Sequence, residues 1–251
     1  MITASHREQR PVSSTASETA SSAIREVHEY AWREEAAEMI RPYLDRIALG
    51  VDLNASTGSS LLGYEAVPEL THEDGSFLTS SENRALDTDE NDHDHVNYDQ
   101  IMLEFDAQIQ EFVRLFGRLP DYLHRHAYET KTTGRAIADL AKKYGLIDSA
   151  RVISGGIVKL PASMSWVRLG SADEQLKSDL KTFILEDRGE LLGSDLAMLV
   201  AHCGFADHEI MKLSSFNMLR VRDLEALVDD EVKDWVKKNN ITLITYKDLD
   251  I

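Results

Sequence analysis

With 251 residues, 43% hydrophobic and 28% charged, the chain has the composition of a soluble globular protein able to build a sizeable core. Its formal charge of −17 excludes the basic surface that nucleic acids and anionic membranes require, and no apolar run approaches the roughly 18 residues of a membrane helix. The single cysteine, Cys203, excludes an internal disulfide, and the opening MITASHREQR has no apolar signal core, so a cytoplasmic protein is expected.

Along the chain, the Ser/Thr/Ala-rich PVSSTASETASSA reads as a loop or flexible segment. REEAAEMIRPYLDRI has helical spacing, with Ala36, Met39, Ile40 and Leu44 on one side. IALGVDLN is a short apolar run ending in a polar pair, as a buried strand does where it leaves the sheet. The acidic stretch ENRALDTDENDHDHVN contains almost no core residues and is expected to be a solvated loop or lid. The next helix is the clearest, with Ile101, Phe105, Ile109, Phe112, Val113 and Phe116 repeating at three and four before GRLP stops it. DYLHRH follows as a strand, and GRAIADLAKKYG as a helix capped by Gly145. ARVISGG reads as a strand into a turn, and SDLAMLVAHCGF as an apolar run leading to His202. RVRDLEALVDDEVKDWVKKNN reads as one helix, and ITLITY as a final strand.

Alternating helices and strands predict a parallel sheet with helices outside it. The polar residues of interest fall at strand ends: Asp52 after ALGV, His124 and His126 after DYL, and His202 after MLVA. In α/β barrels the carboxyl ends of the strands carry the site. The expected fold is therefore α/β, a distorted TIM-like (β/α) barrel with mainly parallel strands, outer helices and a single domain. Residues 1–20 form an N-terminal strand or flexible segment, and residues 21–251 form the domain. His124 and His126, two apart on a strand, point to one face and could share one small volume, as metal ligands often do.

Five segments in linear order resemble the YdjC-like carbohydrate deacetylases, a family that includes chitooligosaccharide deacetylases. They are GVDLNASTG at 50–58, EFDAQIQEFVRLFGRLP at 104–120, HRH at 124–126, HCGFAD at 202–207 followed by SSF at 214–216, and RVRDLEAL at 220–227. The second resembles the family's E-x-x-x-Q helix and the third its D-[SG]-H strand. The resemblance covers the chain from about residue 21 to the C-terminus. It implies a distorted barrel, usually a homodimer, and hydrolysis of an N-acetyl amide on a sugar. It also implies a divalent ion such as Zn²⁺ or Mg²⁺ held by one Asp and two His, a carboxylate that deprotonates water, and a His that protonates the leaving amine.

The chain departs from the pattern at the chemistry. The family's first strand ends in an acidic pair; if Ala4 matches the family's Ala, Ser5 and His6 stand in those places. The next family ligand, a His, is Asp52; the third is retained as His126, but the Asp before it is His124. The ligand set implied by the resemblance is thus His6, Asp52 and His126, still two imidazoles and one carboxylate. His124 replaces a ligand, supports one from behind, or takes over as base, since Ser5 cannot accept a proton near pH 7. His202 matches the general acid. Arg220 and Asp223 match an Arg and an acidic position that orient site residues, or else form a surface helix ion pair. Taken singly, Asp52, His124 and His126 also read as ordinary strand-end residues, His93 and His95 as residues of a solvated acidic loop, Trp166 as a core residue or a sugar platform, and Cys203 as a small buried residue. Two functions follow. One is a metal-dependent amide hydrolase acting on N-acetylated sugars or small-molecule relatives; the other is a diverged barrel that binds, regulates or acts on another substrate.

Overall fold

The computed structural model describes residues 2–5, 33–87 and 94–250. In chain order the elements are β1 (Ile2–Ser5), α1 (Arg33–Ile40), β2 (Val51–Leu53), α2 (Ser80–Leu86), α3 (Tyr98–Phe116), β3 (Tyr122–Arg125), α4 (Lys131–Tyr144), β4 (Ile147–Asp148) and α5 (Ser149–Ser154). There follow α6 (Ala172–Gln175), α7 (Leu180–Leu185), β5 (Leu196–Leu199), α8 (His208–Leu213), α9 (Met218–Val228), α10 (Asp230–Lys238) and β6 (Thr242–Ile244). The chain divides into two compact units, residues 23–152 and residues 1–22 with 153–250.

In the 23–152 unit, β2, β3 and β4 form a parallel sheet in that order, with Val51 beside Leu123 and Asp52 beside His124. Val51, Leu53 and Leu123 are buried, as are Ile101, Phe105, Ile109 and Phe112 on α3 and Ala136, Ile137, Leu140 and Ala141 on α4. Their spacing of three and four explains both helices, because only an α-helix brings such positions onto one side. α3 begins at Asn97, whose side chain accepts from Asp99 N and Gln100 N, and ends at Gly117 in the left-handed region (φ 69°), which glycine enters without a Cβ penalty. α4 ends as expected at Gly145, also left-handed.

In the second unit β1 lies between β5 and β6 and runs antiparallel to both, Ile2 beside Leu199 and Ser5 beside Leu196 and Thr242. Lys159 adds a one-residue parallel bridge to β5. Trp166, Leu180, Phe183, Leu199 and Ala226 form this unit's core, with the Trp166 and Phe183 rings 4.5 Å apart.

Several expectations are corrected. The α/β class with a parallel sheet stands, but among the described residues the strands make two three-stranded sheets, one of them antiparallel, rather than a closed and mainly parallel ring. A period-2 pattern does not encode strand direction, and antiparallel ladders are at least as stable as parallel ones. ARVISGG, expected as a strand into a turn, instead lies largely in helix α5 (Ser149–Ser154), with Asp148 Oδ1 accepting from Ala150 N at its start. The single helix expected over 220–240 is two, because Asp229 is extended (ψ 135°) and caps α10 through Glu231 N. The acidic stretch begins not as a loop but as α2, which closes a capping box between Thr79 and Glu82. Its far end is also built in: His95 Nε2 is 2.8 Å from Asn83 Oδ1, and Asp94 Oδ2 accepts from Thr132 N at the start of α4. His93 lies outside the described residues. On α1 the buried positions are Ala37 and Ile40, whereas Met39 is exposed.

Candidate functional site

The 23–152 unit presents one polar sheet face. Side chains alternate along a strand, so if Val51, Leu53 and Leu123 face the helices, then Gly50, Asp52, Tyr122, His124 and His126 face the other way. Gly50 is required here, since a Cβ on it would meet the Tyr122 ring at 2.4 Å. Burial, and then the Asp52 charge, push the Tyr122 hydroxyl well above the usual phenol range. Among the described residues Asp52 Oδ1 is buried and has no hydrogen-bond partner, and a buried oxygen in that state calls for an explanation. His124 Nδ1 lies 2.6 Å from Ser149 Oγ, at the start of α5. His126 N donates to Leu53 O at 3.3 Å, and its Nδ1 stands 3.5 Å from Ser56 Oγ.

The loop after β2 is held from α3. Asn54 Oδ1 accepts from Ser56 N and Thr57 N, which turns the chain. Gln108 accepts from Asn54 N and donates to Asn54 O, so one amide replaces a strand neighbour. Glu104, one turn earlier, accepts from Gln108 Nε2, Ser60 Oγ and Leu61 N. Both residues are fully buried, and this is the structural content of the E-x-x-x-Q spacing. Arg125 points to the helix side, where its guanidinium meets Glu129 and, at 3.4 Å, Asp148. The absent side chain of Gly134 leaves room for it. The open hollow lined by Arg125, Glu129, Thr130, Lys131 and Gly134 therefore lies on that side, away from Asp52.

In the second unit His202 follows β5. Asp223, fully buried on α9, accepts from His202 N at 2.8 Å through Oδ2, so it fixes the backbone of the histidine. Burial raises its carboxyl to about 6, against the lowering effects of that hydrogen bond and of the Trp166 indole. Trp166 Nε1 lies near enough to act on the charge, yet neither it nor Asp223 Oδ1 reaches hydrogen-bond geometry. Trp166 is thus a core residue, and Cys203 is buried as expected. The Phe216 ring packs 5.2 Å from the His202 ring. Phe216 O accepts from Arg220 Nε at 2.5 Å, and Gly204 N donates to Arg220 O. Arg220 and Asp223 are both buried, so they do not form a surface pair. Buried Gln175 donates to Ser215 O and accepts from Asn217 N and Leu219 N, which ties down the segment that carries Phe216.

His6 lies outside the described residues. Ser5 ends β1 beside Leu196, the first residue of β5, whereas His202 follows the last. Asp52 lies beside His124 in the sheet, and alternation places His126 on the same side, so the residue types on this face have the donor chemistry of a divalent-cation site. Among the described residues, however, no three of His, Cys, Asp and Glu gather as a metal-binding group. Residue pattern alone missed Ser149, Gln175 and the roles of Glu104 and Gln108. For the last two a signal existed: two polar residues four apart lie on the same helical side as Ile101, Phe105, Ile109 and Phe112.

These features identify the class. The model of the family described as YdjC-like protein matches residues 27–238, and the chain belongs to that family. A carbohydrate deacetylase of Clostridium beijerinckii is 24% identical over 159 residues, 60% of this chain, and the chain spans 62% of that relative's length. A carbohydrate deacetylase of Enterococcus faecalis is 28% identical over 228 residues, 86% of this chain and 82% of that one. Among solved structures, a protein of Enterococcus faecalis V583 named for cellobiose-phosphate cleavage matches with a TM-score of 0.69 at 22% identity, covering 95% of this chain and 93% of that chain. That likeness supports the fold.

Proposed function

We propose that the chain is a hydrolase of the carbohydrate deacetylase type, removing acetyl from an N-acetylated sugar or oligosaccharide. The observation that carries the reading is the buried, unpartnered Asp52 oxygen on the face it shares with His124, in a chain that the family model matches over residues 27–238. Asp52 and His126 would hold a divalent ion, with a further donor from outside the described residues such as His6. The ion would supply polarisation of the amide carbonyl. His202 protonates the leaving amine, with Asp223 holding its backbone and Phe216 against its ring. If Ala4 matches the family's Ala, Ser5 takes the place of an acidic residue, and turnover is then slow, by about 10²- to 10⁴-fold for a missing general base. The homodimer and a cytoplasmic location belong to the same proposal.

The test is acetate release from N-acetylglucosamine oligomers, with and without chelator, for wild type and His202→Ala, together with metal analysis of the purified protein. Weak, chelator-sensitive release that His202→Ala abolishes supports the reading. Brisk chelator-resistant release rejects the metal, and no release with no bound metal favours the second reading, a diverged member that binds or regulates. That alternative rests on the loss of the family's acidic pair, if Ala4 matches the family's Ala, and on His124 in place of the Asp of D-[SG]-H.

A further inference from the structure

The pair His124–Ser149 has no role in the reading above. The resemblance places an Asp where His124 stands, so His124 can be understood only from its own surroundings. Ser149 Oγ lies 2.6 Å from His124 Nδ1. Ser149 is 1% exposed, and among the described residues that contact is the hydroxyl's one hydrogen bond. A serine hydroxyl has one proton to give and two lone pairs to receive with. If Nδ1 carried the proton, Ser149 would accept it, and its own O–H would be left buried with no acceptor, which costs that donor its full desolvation penalty. If Ser149 donates to Nδ1 instead, every proton in the pair is bonded. The second arrangement is the favoured one, and it leaves the single N–H of neutral His124 on Nε2.

Among the described residues His124 Nε2 makes no hydrogen bond, and the side chain is half-buried rather than fully enclosed. The residue stands next to Asp52, on the polar face of β2 and β3. We infer that Ser149 is a positioning residue that locks neutral His124 as its Nε2–H tautomer, making His124 a hydrogen-bond donor towards a ligand oxygen on the Asp52 face. An imidazole held in this way has no lone pair on Nε2, so in this state it is neither a base nor a metal ligand through that atom. In the proposed deacetylation its partner would be the carbonyl oxygen of the N-acetyl group, where negative charge develops and a fixed donor is most effective. This last step rests on the proposed function; the tautomer does not.

The experiment is ¹⁵N NMR of the whole chain labelled at histidine, at a pH where the ring is neutral, with the His124 signals assigned from their loss in His124→Gln. Free histidine in the same buffer is the reference. The expected result is a pyridine-type shift at Nδ1 and a pyrrole-type shift at Nε2, with the tautomer ratio biased beyond free histidine on the order of tenfold, as one hydrogen bond provides. In Ser149→Ala, checked for folding by circular dichroism, the ratio falls back to the free value, and in Ser149→Thr it is retained. A pyrrole-type Nδ1 in wild type overturns the inference, as does a ratio unchanged in Ser149→Ala. Transfer of the Nε2 proton to solvent on adding Zn²⁺ alone also overturns it. All of these readings are independent of acetate release.

Discussion

Replacing Asp223 by Asn keeps an oxygen acceptor for His202 N while removing a charge from a fully buried position. Burial lifts the carboxyl from its ordinary 3.8 to about 6, a difference worth about 3 kcal/mol. Because the folded value lies above the unfolded one, the stabilisation attached to the protonated form is fully present below the unfolded pKa and is lost as pH rises through the folded pKa. Wild type therefore loses stability relative to Asp223→Asn as pH rises, with roughly 1.4 kcal/mol of the change falling between pH 5 and pH 8. Any fixed offset from turning an amide towards Trp166 shifts the curves without changing their relative slope. Urea unfolding at steps from pH 5 to 8, above the pI of about 4.9, measures this directly. Two stability curves that stay parallel within about 0.3 kcal/mol over that window would refute the buried-carboxylate account.

Three further outcomes follow from the geometry. Gly50→Ala drives a Cβ to 2.4 Å from the buried Tyr122 ring and lowers stability by about 1–3 kcal/mol in thermal or urea unfolding; Tyr122→Leu in the same chain recovers part of the loss. Gln108→Leu leaves Asn54 N, Asn54 O and Glu104 without their partner, costs at least about 1–3 kcal/mol and speeds amide exchange across residues 54–62, which an unchanged exchange pattern would contradict. Asp52→Asn breaks no hydrogen bond at Oδ1, so its stability stays within about 1 kcal/mol of wild type while bound metal measured by plasma mass spectrometry is lost; retained metal removes Asp52 from the ligand set.

What the residues disclosed in advance depended on how local the cause was. α3 and α4 were legible because apolar residues repeat at three and four and both helices end on a glycine that turns left-handed. β2 and β3 were legible as short apolar runs. Strand direction was not: β1 lies between β5 and β6 by pairings that join residues about 200 positions apart, and nothing in ITAS records them. The break between α9 and α10 was hidden because Asp229 has the composition of a helix surface and acts as a cap only once the chain has turned. His95, read as a residue of a solvated acidic loop, is instead half-buried and bonded to Asn83.

The site residues divide along the same line. The histidines stood out by type, but what aims them did not, because each is aimed by a buried polar side chain far along the chain. Ser149 holds the ring of His124, Asp223 the backbone of His202, Gln175 the segment bearing Phe216, and Gln108 with Glu104 the loop after β2. All of these are buried, and burying a polar group gains nothing unless its bonds are made. Their presence inside the core is thus the mark of a structure that gives up packing to fix loop backbones. Such backbones hold polar groups in place without reorganisation when charge develops nearby. Replacing any of these five residues should therefore move KM or metal affinity before it unfolds the chain, while a core substitution such as Ile137→Val on α4 should leave both unchanged.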